Sequence, residues 1–183
     1  MINLKEEIRN TNHSREKRSY FANLILQNPE LLPQLLDICS KVDDEISCKA
    51  SWGLEFLSKN NLHAILPYLD SLTPIFPIVH QDPAVRPIAK ICEYLTLAYY
   101  KKNDIVVKKH LTSTHREKIT EACFDWLISD QKVAAKAYSM TSLYLLGTEF
   151  DWVHAELKIT LQNNYHDGSA AYKARSRMIL KKL

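Results

Sequence analysis

From Ser129 to Gly147 apolar side chains return at helical spacing behind an aspartate: counting from Asp130, Val133 lies at +3, Ala137 at +7 and Leu143 at +13. The same offsets from Asp82 meet Val85, Ala89 and Leu95, those from Asp43 meet Ile46, Ala50 and Phe56, and those from Asp167 meet Ala170, Ala174 and Leu180. Alanine holds +7 every time. The anchors stand 39, 48 and 37 residues apart, the period of stacked helical hairpins. Offsets +3, +7 and +13 share one broad helical face. The aspartate reads as an N-cap that accepts orphan backbone N–H bonds, and the alanine lets a neighbouring helix approach closely.

Ahead of the first repeat, residues 2–12 and 13–27 predict two capping helices, the second with Tyr20, Leu24 and Ile25 on one side. A terminal repeat needs a polar outer face because nothing packs beyond it. Pro29 opens the next helix at a favoured first-turn position, and Leu32, Leu35, Leu36 and Cys39 keep helical spacing up to Asp43. Leu62, Ile65, Leu66, Leu69, Leu72, Phe76 and Val79 trace another stripe. Pro67, Pro74 and Pro77 each remove a backbone donor from it, so a bent helix is expected. Its partner runs from Pro83 to about Lys101. Residues 102–115 read as an inserted connector with a short helix around Ile105–His110, which explains the long second spacing. Ile119, Ala122, Cys123, Trp126 and Leu127 then form an amphipathic stripe leading to the Asp130 helix, and Phe150, Val153, Leu157 and Leu161 open the last pair. The pattern predicts one all-α domain over residues 1–183: a cap at 1–28 and hairpins near 29–59, 61–101, 116–147 and 150–183.

Composition narrows this little: 46% apolar and 25% charged residues are ordinary for a globular chain. Only three glycines occur, which suits helices better than β-hairpins. Cys39, Cys48, Cys92 and Cys123 lack CxxC or zinc-type spacing and read as free core thiols of a reducing compartment. The opening MINLKEEIRN has no apolar h-region, and no apolar run reaches the length of about 20 residues that spans a bilayer. A cytoplasmic protein is expected.

The stretch Asp82-Pro-Ala-Val85-Arg86-Pro-Ile-Ala89 resembles the Asp-x-x-Val-Arg-x-x-Ala core of HEAT-like repeats in the armadillo-type superfamily, and Leu32-Pro33 and Leu66-Pro67 resemble its proline-bearing first helix. Only Arg86 matches the family's arginine; the other repeats place Ser47, Ala134 and Ala171 there. Residues 124–128, 133–147, 151–158 and 169–183 resemble a group of small bacterial single-domain HEAT-like proteins. The resemblance implies a right-handed superhelix of about four hairpins and no settled activity. Some of that group are described as adenylosuccinate lyases. The lyase loop, Ser-rich with Met, Pro, Lys and Asn in sequence, is absent here, and 183 residues do not supply that family's long bundle and shared tetrameric sites.

No catalytic, metal or cofactor motif stands out. The seven histidines form no HxH, HExxH or carboxylate pairing at i, i+4, no GxSxG elbow occurs, and three scattered glycines exclude a phosphate loop. The chain is therefore read as non-enzymatic and free of cofactors. The bacterial alkylpurine DNA glycosylases are HEAT-like enzymes with a basic concave face lined by Trp and Asp. Here Trp126 falls on a core stripe, Trp152 at the start of a helix where a staple packs, and Trp52 at +9 beside the packing face.

Charge says more. The formal net charge is +3, yet residues 168–183 carry +5 from Lys173, Arg175, Arg177, Lys181 and Lys182 with no acid among them. Such an end suits phosphates or an acidic protein surface, or simply meets the helix dipole. Offset +6 is Lys49, Lys136 and Lys173, interrupted by Ile88, and predicts a lysine row across successive second helices. The binding candidates are Lys49, Lys136, Lys173, Arg175, Arg177, Arg86 and Trp52. The expected function is a scaffold that holds a protein partner on its concave face, with nucleic-acid binding through the basic end and the lysine row as the alternative.

Overall fold

The computed structural model describes residues 2–183, and among these it contains eleven α-helices and no strand. In chain order they are α1 (Leu4–Asn10), α2 (Arg15–Gln27), α3 (Leu32–Ser40), α4 (Glu45–Asn60), α5 (Leu69–Leu72), α6 (Asp82–Thr96), α7 (Ile105–His110), α8 (Ser113–Ile128), α9 (Val133–Leu146), α10 (Asp151–Asn163) and α11 (Ala170–Leu180). None is long and apolar enough to cross a membrane.

Helix starts follow whichever side chain reaches the orphan N–H groups, and the four aspartates of the repeat do not cap. Asn3, Ser14, Asp44 and Ser169 cap α1, α2, α4 and α11 with side-chain oxygens. Asp43 precedes a cap, Asp82 sits inside the first turn of α6, and Asp130 and Asp167 lie ahead of the caps Lys132 and Ser169. The +7 alanine is therefore the sixth residue of α4, the eighth of α6 and the fifth of α9 and α11. Which face each alanine takes is set by the helices packed against it, not by its distance from the helix start. Ala50 and Ala89 are fully buried, Ala137 is half-buried and Ala174 is exposed. Val133 at +3 is exposed too, and α9 instead buries Ala135, Ser139, Met140, Leu143 and Leu146.

Two other expectations change. The stripe from Leu62 to Val79 is not one bent helix: Pro67, Pro74 and Pro77 break it into 3-10 turns at Leu62–Tyr68 and Thr73–Ile78 around the single turn of α5. In α2, Tyr20 faces solvent while Phe21, Ala22 and Ile25 are buried. Phe21 wins because Gly53 of α4 leaves it room; a Cβ there would stand 2.3 Å from the ring.

The helices α2, α4, α6, α9 and α11 each pack on the next in that order. On the other side α3 packs on α4, α8 and α10 pack on α9, and the turn at Thr73–Ile78 packs on α8. The core is continuous between the two sets and holds all four cysteines as free thiols. After Thr96 the helix widens into a π turn, Leu97–Lys101, and two residues later Asn103 takes a left-handed φ of 53°.

Candidate binding face

The lysines at +6 have different surroundings. Lys49 donates to the Arg9 carbonyl at 2.8 Å, one of the orphan acceptors at the end of α1. Lys136 borders a hollow of about 410 Å³ with Gln131, Asp167 and Tyr172, whereas Lys49 borders a separate one of about 260 Å³ with Lys5, Arg9 and Glu45. Lys173 is half-buried on α11. Arg177 is exposed on the same helix, beside Tyr165 and His166.

Trp52 and Arg86 are held by local chemistry. Pro87 has no N–H, so the Pro83 carbonyl one turn earlier lacks its helical donor; the Trp52 indole N–H fills it at 2.7 Å. Arg86 pairs with Glu55 at 2.8 Å across α4 and α6. The Glu55 side chain is only 8% exposed and the guanidinium side chain 33%, so the cation lies outermost. Trp126 is buried and donates to Val79. Trp152 is no buried staple: it is 55% exposed and stacks on Phe124 at 5.5 Å.

Beside the Arg86 pair the polar ribbon continues along α6 and α9. Lys90 pairs with buried Glu93 at 2.5 Å, and its ammonium also lies 5.1 Å from the Tyr94 ring and 4.3 Å from the Tyr138 ring. Burial, then the nearby Glu55, Tyr138 and Glu93, pushes the Tyr94 hydroxyl up to about 12, so it stays a donor. At the far end Arg175 of α11 donates to Thr141 at 3.0 Å. The ribbon opens there into a cleft of about 520 Å³ between the π turn, α9 and α11. Lys101, Arg175 and Lys182 line it against a single carboxylate, Glu93, and Tyr144 and Met178 supply apolar wall. Lys182 lies 5.4 Å from the Tyr144 ring.

Below the cleft an anchor fixes the π turn. Glu149 accepts from Tyr100 at 2.6 Å and pairs with Arg116 at 2.6 Å. Partial burial raises the Glu149 pKa, but the hydrogen bonds from Arg116 and Tyr100 outweigh it and leave the carboxyl below its ordinary range.

The face presents guanidinium, ammonium and hydroxyl donors, with Glu55 and Glu93 paired to Arg86 and Lys90. Among the described residues no three His, Cys, Asp or Glu side chains converge on a metal position. The four thiols are buried, and burial pushes those of Cys39, Cys48 and Cys92 up, away from the nucleophilic thiolate.

Of the sequence candidates the structure puts Arg86 and Arg175 on this face, joined by Lys90, Tyr94, Tyr138, Lys101 and Lys182. The signal for part of it was offset +8, which is Lys90, Tyr138 and Arg175 in successive repeats. Nothing in the repeat marks Lys101, which enters through the π turn. Comparison with protein-family models, with curated proteins and with solved structures finds no match for this chain.

Proposed function

We propose that the chain is a HEAT-like helical-hairpin scaffold that binds a protein partner, seating an acidic segment of it in the cleft between the π turn, α9 and α11. The observation that carries this is the convergence of Lys101, Arg175 and Lys182 on one cavity opposed by Glu93 alone. The packing of α2, α4, α6, α9 and α11 in chain order supports the hairpin architecture. The resemblance to HEAT-like repeats supports it independently. Buried free thiols favour a reducing compartment.

Nucleic-acid binding is the second reading, favoured by the +5 charge of residues 168–183. Titration with an oligoglutamate peptide and with a single-stranded oligonucleotide separates the two. The acidic peptide is expected to bind wild type and to lose about tenfold in affinity, about 1.4 kcal/mol, in Arg175→Glu/Lys182→Glu. Tighter binding of the oligonucleotide with a steep loss in salt replaces the first reading with the second. Equal affinities in wild type and variant remove the cleft from both.

A further inference from the structure

On elements that do not line the cleft, α8 and α10 leave a groove of about 430 Å³ with the opposite chemistry. Its floor is aromatic: Phe124 lies under Trp152 with the rings 22° from parallel, and Phe150 closes one end. Ile128 at the edge is 64% exposed and Trp152 55%. Its rim is acidic. Glu117, Glu121 and Asp125 follow one another at four-residue spacing along α8, and Glu156 faces them from α10. No Lys or Arg is among the lining residues.

This pattern costs the helix something. Like charges at i, i+4 are mutually destabilising, and α8 carries two such pairs in one exposed line, with Lys118 three residues before Glu121 as the neighbouring cation. A large exposed indole on an aromatic neighbour adds apolar surface that a soluble helix pair gains nothing by showing. Both features are satisfied by one kind of occupant. A helix laid in the groove with Arg or Lys every fourth residue matches the rim, because four residues rise about 6 Å on each helix. One bulky apolar side chain between the cations fills the floor, and Trp152 offers its face to an adjacent guanidinium.

We propose that the α8–α10 groove docks a cationic amphipathic helix of a partner protein, with Trp152 as the central anchor and Glu117, Glu121 and Asp125 setting its register. The site is independent of the cleft described above, and the two carry opposite charge preference. The chain's own basic end, residues 168–183, has the competing chemistry, so a second copy is the rival occupant.

The test is titration of the full chain with an alanine-based helical peptide bearing Arg at every fourth position and one central Leu, and with its Glu-for-Arg counterpart. The Trp152 indole N–H resonance, assigned with Trp152→Phe, reports on the groove. The Arg peptide is expected to shift that resonance and the Glu peptide to leave it unmoved. Glu121→Gln/Asp125→Asn weakens the Arg peptide by about tenfold or more, whereas Arg175→Glu/Lys182→Glu binds it as wild type does. An unmoved resonance with the Arg peptide overturns the proposal. So does unchanged affinity in a Glu121→Gln/Asp125→Asn protein that melts like wild type. Sedimentation of the wild type as a dimer that this variant dissociates assigns the groove to a second copy instead.

Discussion

Pro87 cannot give the Pro83 carbonyl its helical hydrogen bond, and Trp52 supplies that bond from 31 residues away. The pairing makes a quantitative prediction. Trp52→Phe removes the donor, keeps an aromatic though smaller side chain and leaves a carbonyl short of a partner, so urea unfolding is expected to show a loss of about 1–2 kcal/mol. In a Pro87→Ala background the residue 87 N–H serves the same carbonyl, and the loss shrinks by about 1 kcal/mol. Additive losses mean the indole stabilises by packing alone. The position of Trp52 beside the packing face is readable from helical periodicity. Its partner is not, because an orphan acceptor attracts whatever donor the fold brings near, irrespective of sequence distance. Lys49 on the Arg9 carbonyl is the same case.

Helices such as α3, α6 and α8 follow from periodic apolar spacing. The stripe at 62–79 is the exception, since three prolines outweigh a good apolar pattern. Elements are joined by polar anchors that periodicity does not reveal, and Glu149 is the clearest. It lies between α9 and α10, binds Arg116 of α8 and Tyr100 of the π turn, and so ties three elements together. Its folded pKa lies below its ordinary value of 4.5. A carboxyl shifted down contributes stability that is fully present above its unfolded pKa and is lost as pH falls through the folded one. Chemical unfolding of wild type and Glu149→Gln across pH 7 to 3 is the measurement. At neutral pH the variant is expected to be less stable by about 1–3 kcal/mol, because the nearly buried Arg116 loses its charged partner. The gap closes as pH drops below about 4.5. A gap that stays constant with pH assigns the loss to something other than the Glu149 charge.

Across the whole molecule, one core runs between the two sets of helices and holds Cys39, Cys48, Cys92 and Cys123. Burial, partly offset by a hydrogen bond with Ser51, pushes the Cys39 thiol up to about 12, and Cys92 is raised by burial and by its neighbour Cys123. None of these thiols meets an aqueous disulfide reagent while the core is closed, so labelling is expected to be slow and to accelerate with urea in step with unfolding. A thiol that reacts at once in the native protein marks a segment that opens separately. Surfaces at this scale depend on which helices become neighbours. Arg86 and Arg175 were legible as candidates. The cleft was not, because Lys101 reaches it only through the π turn and Lys182 only where α11 lies against α9. The acidic groove is hidden in the sequence for a related reason: Glu117, Glu121 and Asp125 form a stripe on α8, but the groove needs Trp152 and Glu156 from α10.

Helical class, most element limits and the buried cysteines follow from the chain's local pattern, because 3.6-residue periodicity and proline's missing donor act within a few residues. The register of each packing face, the capping partners and the two oppositely charged cavities belong to the folded molecule. Which face of a helix is buried is decided by the helices that pack against it, so the +7 alanine is buried in α4 and α6 and exposed in α11. A cavity exists only where side chains distant in sequence are brought together around it.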